Sequence, residues 1–415
     1  MNKSLSAKKS PKNILAINGG SSSIKFAVFG IEKDIKQTIK GKIDRIGLDG
    51  NGDFSFFESD SSEQKNKKIK VESYSAAADY LLTWFHKKIG FDSINTIVHR
   101  LVHGMQNTKP QIINRQLLDE LNNIKSYDPE HLPHEIELIE AFLRRLPSVP
   151  QVACFDTAFH QSMPKVAKLL PIPRRFYEKG IQRYGFHGIS YSYILQKLFK
   201  LDEKIKQKRL IIAHLGNGAS IVAIKNGKSI DTSMAFTPTA GFPMSTRPGD
   251  IDPGLVLYLI KNEKLDIEEF NKMINKQSGL LGISETSSDM RDLLRDEPTD
   301  VRAAEAIALF CYQIKKYIGA YAAALGGLDT LVFSGGIGEN VPTIRQRICE
   351  GLEFLGIQLE EHSNKNNKEI ISDKQSKVTV RVIPTNEEVM MAKMACDLLG
   401  FQKEKEYDYE RKEKN

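Results

Sequence analysis

Short apolar runs bounded by polar or glycine-containing segments recur along the chain, at residues 14–17, 24–29, 94–102, 151–155, 209–213, 219–224, 330–334 and 378–383. Such runs read as strands, and their near-continuous apolar character suits a sheet covered on both faces. Between them lie stretches with apolar residues at helical spacing, such as "SAAADYLLTWFHKKI" (75–89) and "VRAAEAIALFCYQIKKYIGAYAAAL" (301–325). The second is apolar enough to predict a largely buried helix, consistent with a subunit contact. Alternating strands and helices predict an α/β protein with helix-covered sheets.

One pattern occurs twice. "ILAINGGSSSIKFAVF" begins at Ile14, and "LIIAHLGNGASIVAIKNG" begins at Leu210. Each is an apolar strand, a polar glycine-containing turn and a second apolar strand. A third strand-to-glycine element, "LVFSGGIGEN", covers 331–340. The first turn resembles a P-loop, but a strand rather than a helix follows Lys25, so the phosphate-loop reading fails. Two hairpins of one design suggest two related halves facing each other across a cleft. On pattern alone, two unrelated ordinary hairpins explain it equally well.

A length of 415 residues predicts two domains. No apolar run reaches membrane-spanning length, and the N-terminus lacks a signal-type apolar region. Of the formal charge of +7, Lys3, Lys8, Lys9 and Lys12 supply four, so no nucleic-acid-binding stripe is expected. Cys154, Cys311, Cys349 and Cys396 are widely spaced, which fits buried thiols in a reducing compartment and makes cytoplasm the default. The polar stretch 361–378 reads as a surface excursion, and 403–415 as a charged tail.

A turn rich in Gly, Ser and Asn exposes backbone N–H groups and hydroxyls, and so can hold an anion without a Walker lysine. Two such turns make a phosphate clamp, an arrangement that resembles the actin, Hsp70 and sugar-kinase superfamily. The resemblance narrows further. "AINGGSSSIKF", "FDTAFHQSMP", "RYGFHGIS", "HLGNGAS", "DTSMAFTP", "TRPGDIDPG", "SGLLGIS", "SSDMRD", "GGIGEN" and "IPTNEE" follow, in order, the signature segments of acetate kinases. They run from Asn18 to Glu388, nearly the whole body of the chain.

That resemblance implies a two-domain actin-like ATPase or sugar-kinase fold with duplicated halves and a nucleotide cleft between them. The expected boundaries are 12–156 plus 388–402 for one domain and 157–387 for the other. It implies Mg²⁺-dependent, reversible, direct in-line transfer of the ATP γ-phosphoryl group to acetate, with Mn²⁺ as an alternative ion. A homodimer is implied, without nucleic-acid or membrane partners.

The residues admit the same chemistry. A carboxylate and a phosphoryl group repel, so guanidinium forks suit the counter-charge, and Arg100 and Arg247 are the candidates. The resemblance adds Asp156 and His187 as catalytic, with His131 a weaker match. Acetate is ionised at pH 7, so Asp156 has no proton to remove and is expected to orient Arg100 or a metal-bound water. Asn18 and Glu387 are oxygen donors of the kind Mg²⁺ prefers. Glu387 as a covalent nucleophile is the minor alternative. Val102, Phe186 and Pro238 match the acetate pocket, where a fourth position, usually Leu, is Glu130; Met105 is a second departure. Ser21, Ser23 and Lys25, then His214, Leu215, Gly216, Asn217 and Gly218, match the phosphate turns. Asp289, Met290 and Arg291 match the adenosine segment, and Gly336, Ile337, Gly338, Glu339 and Asn340 complete the nucleotide site. A propionate kinase would share every charged residue. An ATP-gated clamp without transferase activity is the alternative from another class.

Overall fold

The computed structural model describes residues 12–20, 23–47, 50–61 and 63–401. Ser21 and the expected tail 403–415 lie outside them. The chain divides into two compact units. Residues up to Asp156 and from Asn386 onward form one, and Thr157–Thr385 the other. The break expected after Glu387 lies slightly beyond the observed one, because Asn386 caps the last helix, its side chain accepting from the Val389 N–H at 3.0 Å.

The first unit holds eight strands: β1 (Lys12–Gly19), β2 (Ser23–Ile31), β3 (Ile35–Asp44), β4 (Asn51–Glu58), β5 (Lys65–Lys70), β6 (Ile94–Leu101), β7 (Gln111–Ile112) and β8 (Gln151–Phe155). Their order across the sheet is β5-β4-β3-β2-β1-β6-β8-β7. The second unit holds β9 (Arg209–Leu215), β10 (Ala219–Lys225), β11 (Lys228–Thr232), β12 (Thr330–Ser334) and β13 (Thr379–Val382), in the order β11-β10-β9-β12-β13. Within each sheet, three antiparallel strands (β3-β2-β1 and β11-β10-β9) continue into two parallel ones (β6-β8 and β12-β13). The two hairpins seen in sequence are therefore equivalent elements of one repeated topology.

The apolar runs at β1, β8 and β12 are buried from end to end, as strands covered on both faces must be. Lys-rich β5 buries only Ile69 and sits at the sheet edge, where charge deters further pairing. Helix α1 (Tyr74–Lys88), capped by the Ser73 hydroxyl at Ala76 N, packs on α2 (Leu132–Arg145). Trp84 and Phe85 of α1 meet Phe26 and Phe54 of the sheet in tilted and edge-on contacts. The other helices that matter below are α3 (Gly188–Leu201), α4 (Pro253–Asn262), α5 (Met290–Asp296), α6 (Val301–Leu325), α7 (Gly335–Asn340) and α8 (Glu387–Leu399), which lies against β1 and β6.

One expectation changes and another gains detail. Helix α6 buries one stripe, from Ala303 to Leu325, and leaves Tyr312 and Val301 exposed, so it is half-buried rather than enclosed. The 361–378 stretch is mostly exposed, as a surface excursion should be, but it is tied down: its Asn364 and Asn367 accept hydrogen bonds from the fully buried Arg345.

Candidate functional site

In the first unit, Asn18, Arg100 and Asp156 stand at or just past the carboxyl ends of β1, β6 and β8, where α/β sheets bind ligands. Asp156 is fully buried and accepts from Arg100 Nη2 at 2.5 Å and from Nε at 3.0 Å. Arg100 Nη1 also donates to Asn18 Oδ1 at 3.3 Å, and Asn18 Nδ2 donates to Glu387 Oε2 at 3.0 Å. Glu387 comes from the first turn of α8, whose positive end favours a carboxylate. Its Oε2 is 3.9 Å from Arg100 Nε. Burial disfavours the Arg100 charge, but Asp156, Glu387 and Glu135 outweigh it and raise the guanidinium above its ordinary value.

Asn18 and Glu387 bring together two side chains that carry hard oxygens, the Asn18 oxygen accepting here from Arg100 and its amide nitrogen facing Glu387; the pair suits a cation which keeps its waters and shares phosphate oxygens. Among the described residues no group of three or more His, Cys, Asp or Glu forms a dedicated metal cage. Lys25 is exposed on β2 directly across from Asn18. Its charge acts on the Glu388 carboxyl, which burial and Glu387 push upward. The main-chain oxygen of Ser23 closes the turn by accepting from Gly20 N at 2.7 Å.

Val102, buried and two residues beyond Arg100, is held through its N–H by both carboxylate oxygens of Glu135, at 3.1 and 3.2 Å. Glu135 is itself buried, and burial raises its carboxyl well above the ordinary range, Arg100 opposing and Asp128 and Asp156 adding. Sequence reasoning missed Glu135. His131 is buried at the start of α2, Glu130 is half-buried beside it, and Met105 adopts φ 49°.

In the second unit, β9 delivers His214 and Leu215 to the turn at Gly216, Asn217 and Gly218, and β10 leads away. A Cβ on Gly218 would lie 3.4 Å from His187 Nε2 and 3.8 Å from Arg247 Nη1. The missing side chain thus leaves a space flanked by an imidazole and a guanidinium. A Cβ on Gly216 would lie 3.9 Å from Gly336 N, which brings α7 beside the same turn. Gly335 has φ 75°, and a Cβ there would fall 2.6 Å from Leu215 O, so only glycine fits. His187 precedes α3 in a left-handed conformation, φ 58° and ψ 22°. Its ring stacks on His214 at 4.4 Å, and its Nδ1 bonds Ser220 Oγ at 2.9 Å.

Arg247 donates to Pro238 O at 3.3 Å, joining two of the candidates. Its loop is braced by Asp250, which accepts from Gly241 N and from Tyr317 Oη. Phe186 is buried, its carbonyl accepting from His160 Nε2 at 2.9 Å. Burial lowers His160 to about 4, so the ring is neutral.

The remaining candidates sit less openly. Leu215 and Met290 are buried, leaving only their main chains to reach a ligand. Asp289 caps α5 and grips Arg291, whose side chain is 83% exposed. Glu339 accepts from Gly335 N at 2.8 Å and Thr385 N at 3.0 Å, so its carboxylate shapes the glycine turn. Asn340 donates to Gly336 O, and Gly338 O and Glu339 O accept from Arg345. Ile337 is largely buried within α7.

Residues 13–393 match the Acetokinase family. An acetate kinase of Caldicellulosiruptor saccharolyticus is 42% identical over 400 residues, covering 93% of this chain and 99% of that one. An acetate kinase of Dictyoglomus thermophilum is 42% identical over 398 residues, covering 93% and 99%. Among solved structures, Porphyromonas gingivalis acetate kinase aligns at TM-score 0.83 and 35% identity, covering 94% of this chain and all of that one. A propionate kinase from Francisella tularensis aligns at TM-score 0.86 and 36% identity, covering 92% and 98%.

Proposed function

This chain belongs to the acetokinase family, and from that premise we propose how its residues share the work of moving a phosphoryl group between ATP and acetate. It is a phosphotransferase with a carboxylate acceptor, and its two α/β units carry different duties. In the first, Arg100 binds the acetate carboxylate through its guanidinium fork, with Asp156 fixing the plane of that fork. Acetate needs no general base at neutral pH, so a buried, fully engaged Asp156 suits an orienting role better than proton transfer. Val102 contributes the apolar wall beside it.

In the second unit the turn from His214 to Gly218, with Gly336 and its neighbours, receives the nucleotide phosphates. His187 and Arg247 take the charge of the transferring phosphoryl group, since both flank the space over Gly218. Asn18 and Glu387 fit Mg²⁺, which when bound neutralises phosphate oxygens and would share them with these two donors. The observation that carries the reading is the Asn18–Arg100–Asp156–Glu387 network, an acid-locked arginine beside two hard oxygen donors.

Helix α4 buries none of its residues, and Leu255, Leu257, Tyr258 and Ile260 are exposed on it. A second copy of the chain covering that face accounts for the homodimer, and the four buried cysteines, none of them in a disulfide, suit the cytoplasm. A second substrate reading, propionate, is favoured by the similarity to a solved propionate kinase, while Glu130 at a usually apolar position puts the chain-length selectivity in question. The test is acetate-dependent release of ADP from ATP. Transfer chemistry requires that ADP appear only when a carboxylate is supplied; equal rates without one would overturn the proposal.

A further inference from the structure

We propose that Ser220 and Tyr191 are positioning residues that set the tautomer and ring plane of His187; the inference rests on the role given to His187 above. Both side chains are fully buried, Ser220 as the second residue of β10 and Tyr191 in the first turn of α3. Tyr191 Oη lies 2.5 Å from Ser220 Oγ, and Ser220 Oγ lies 2.9 Å from His187 Nδ1. A serine hydroxyl has one proton to give and two lone pairs, so it can donate to only one of these neighbours, and a fully buried hydroxyl uses its proton when it accepts from one neighbour and donates to the other. The phenol is the more acidic hydroxyl and donates to Ser220, which leaves the Ser220 proton for Nδ1. His187 is then neutral with its proton on Nε2.

That nitrogen is the one beside Gly218, with Arg247 Nη1 3.8 Å from the same point. The relay therefore aims an N–H at an oxygen seated over Gly218, so that donor and guanidinium act together on a phosphoryl oxygen. Its neighbours also hold the ring in place. His214 stacks on it at 4.4 Å and is itself fixed by Ser190 Oγ at 2.8 Å, which is in turn bonded to Thr385 Oγ1. The left-handed backbone at His187 is sparsely populated for a residue with a side chain, so the ring's partners must hold it there.

The test compares Ser220→Ala, Ser220→Thr and Tyr191→Phe by steady-state kinetics, each also made in a His187→Ala background, together with ¹⁵N NMR of histidine-labelled protein. Ser220→Ala should lower kcat about 10- to 100-fold, less than the hundred- to thousandfold cost of deleting a transition-state donor outright, with both KM values within about twofold. Ser220→Thr restores kcat because it keeps the hydroxyl, and Tyr191→Phe gives a smaller loss. In the His187→Ala background, Ser220→Ala has no further effect. In the wild type the NMR spectrum shows Nδ1 bare and Nε2 protonated, and in Ser220→Ala it shows mixed tautomers. An unchanged kcat in Ser220→Ala, a protonated Nδ1 in the wild type, or losses that multiply in the double variant would each overturn the proposal. The NMR readout needs no turnover, so a wild type that failed to phosphorylate acetate would sink the functional reading and leave the tautomer measurable.

Discussion

Replacing Asp156 with alanine strands Arg100. The carboxylate is fully buried and takes two of the guanidinium's N–H groups, and the arginine side chain is only 12% exposed. Removing one member of a buried pair costs about 3–5 kcal/mol, because the surviving charge is left uncompensated. Glu387 at 3.9 Å and the nearby Glu135 still share that charge, so the lower end, about 3 kcal/mol, applies. For a folding unit of this size each kcal/mol moves Tm by about 2–4 °C, so the first unit should melt about 6–12 °C lower. Removing both partners is far less costly than removing one, so Arg100→Ala/Asp156→Ala should regain most of the loss, a coupling of about 2–3 kcal/mol. Neither variant should form acetyl phosphate. Stability recovered without activity is the signature of a pair that exists to hold a substrate-binding arginine. Calorimetry of the two single variants and the double variant decides it: losses that simply add would refute the coupling, and an active double variant would refute the assignment of Arg100 to acetate.

The remaining predictions are more compact. Burial lowers His99, His103 and His160 to about 4, below their unfolded value, so the unfolded chain takes up protons first as pH falls. Stability should be full above pH 6.5 and decline toward pH 4 at up to about 1.4 kcal/mol per unit per histidine; urea melts at several pH values, with His160→Gln giving a shallower slope, check this. Val102→Ala opens the acyl wall and should shift the acetate-to-propionate ratio of kcat/KM toward propionate by about 1–3 kcal/mol, read from paired kinetics. Glu387→Gln should raise the Mg²⁺ concentration for half-maximal rate about tenfold or more, measured by metal titration at fixed ATP. The proposed dimer should be lost in Leu257→Glu on α4, leaving a monomer by light scattering, whereas an unchanged dimer mass would place the interface elsewhere.

The central strands were legible because burial on both faces writes itself as uninterrupted apolar residues, as at β1 and β12. Strands β3 to β5 were not, since "IKQTIKGKID" and "KNKKIK" bury one residue in two or fewer and read as solvated polar chain. Arg100, Asp156 and Glu387 could be found because each stands where an apolar strand ends or a helix begins, and ordered motifs supplied their expected roles. Glu135 carried no such mark. It sits on an amphipathic helix among ordinary surface acids, and only the fold turns it toward Val102 N. Nor does the segment "PTIRQRIC" distinguish fully buried Arg345 from Arg347, which pairs with Glu297 nearer the surface. Ser220 and His187 are far apart in sequence, so their bond exists only once β10 and α3 are packed.

The most direct test of the central claim traps acyl phosphate with hydroxylamine in the presence of ATP and Mg²⁺, offering acetate, propionate or no carboxylate, with Arg100→Ala alongside. Hydroxamate should form from acetate, less from propionate, and none without a carboxylate or with the variant. Product from Arg100→Ala at the wild-type rate, or ATP consumed without any acyl phosphate, would contradict it.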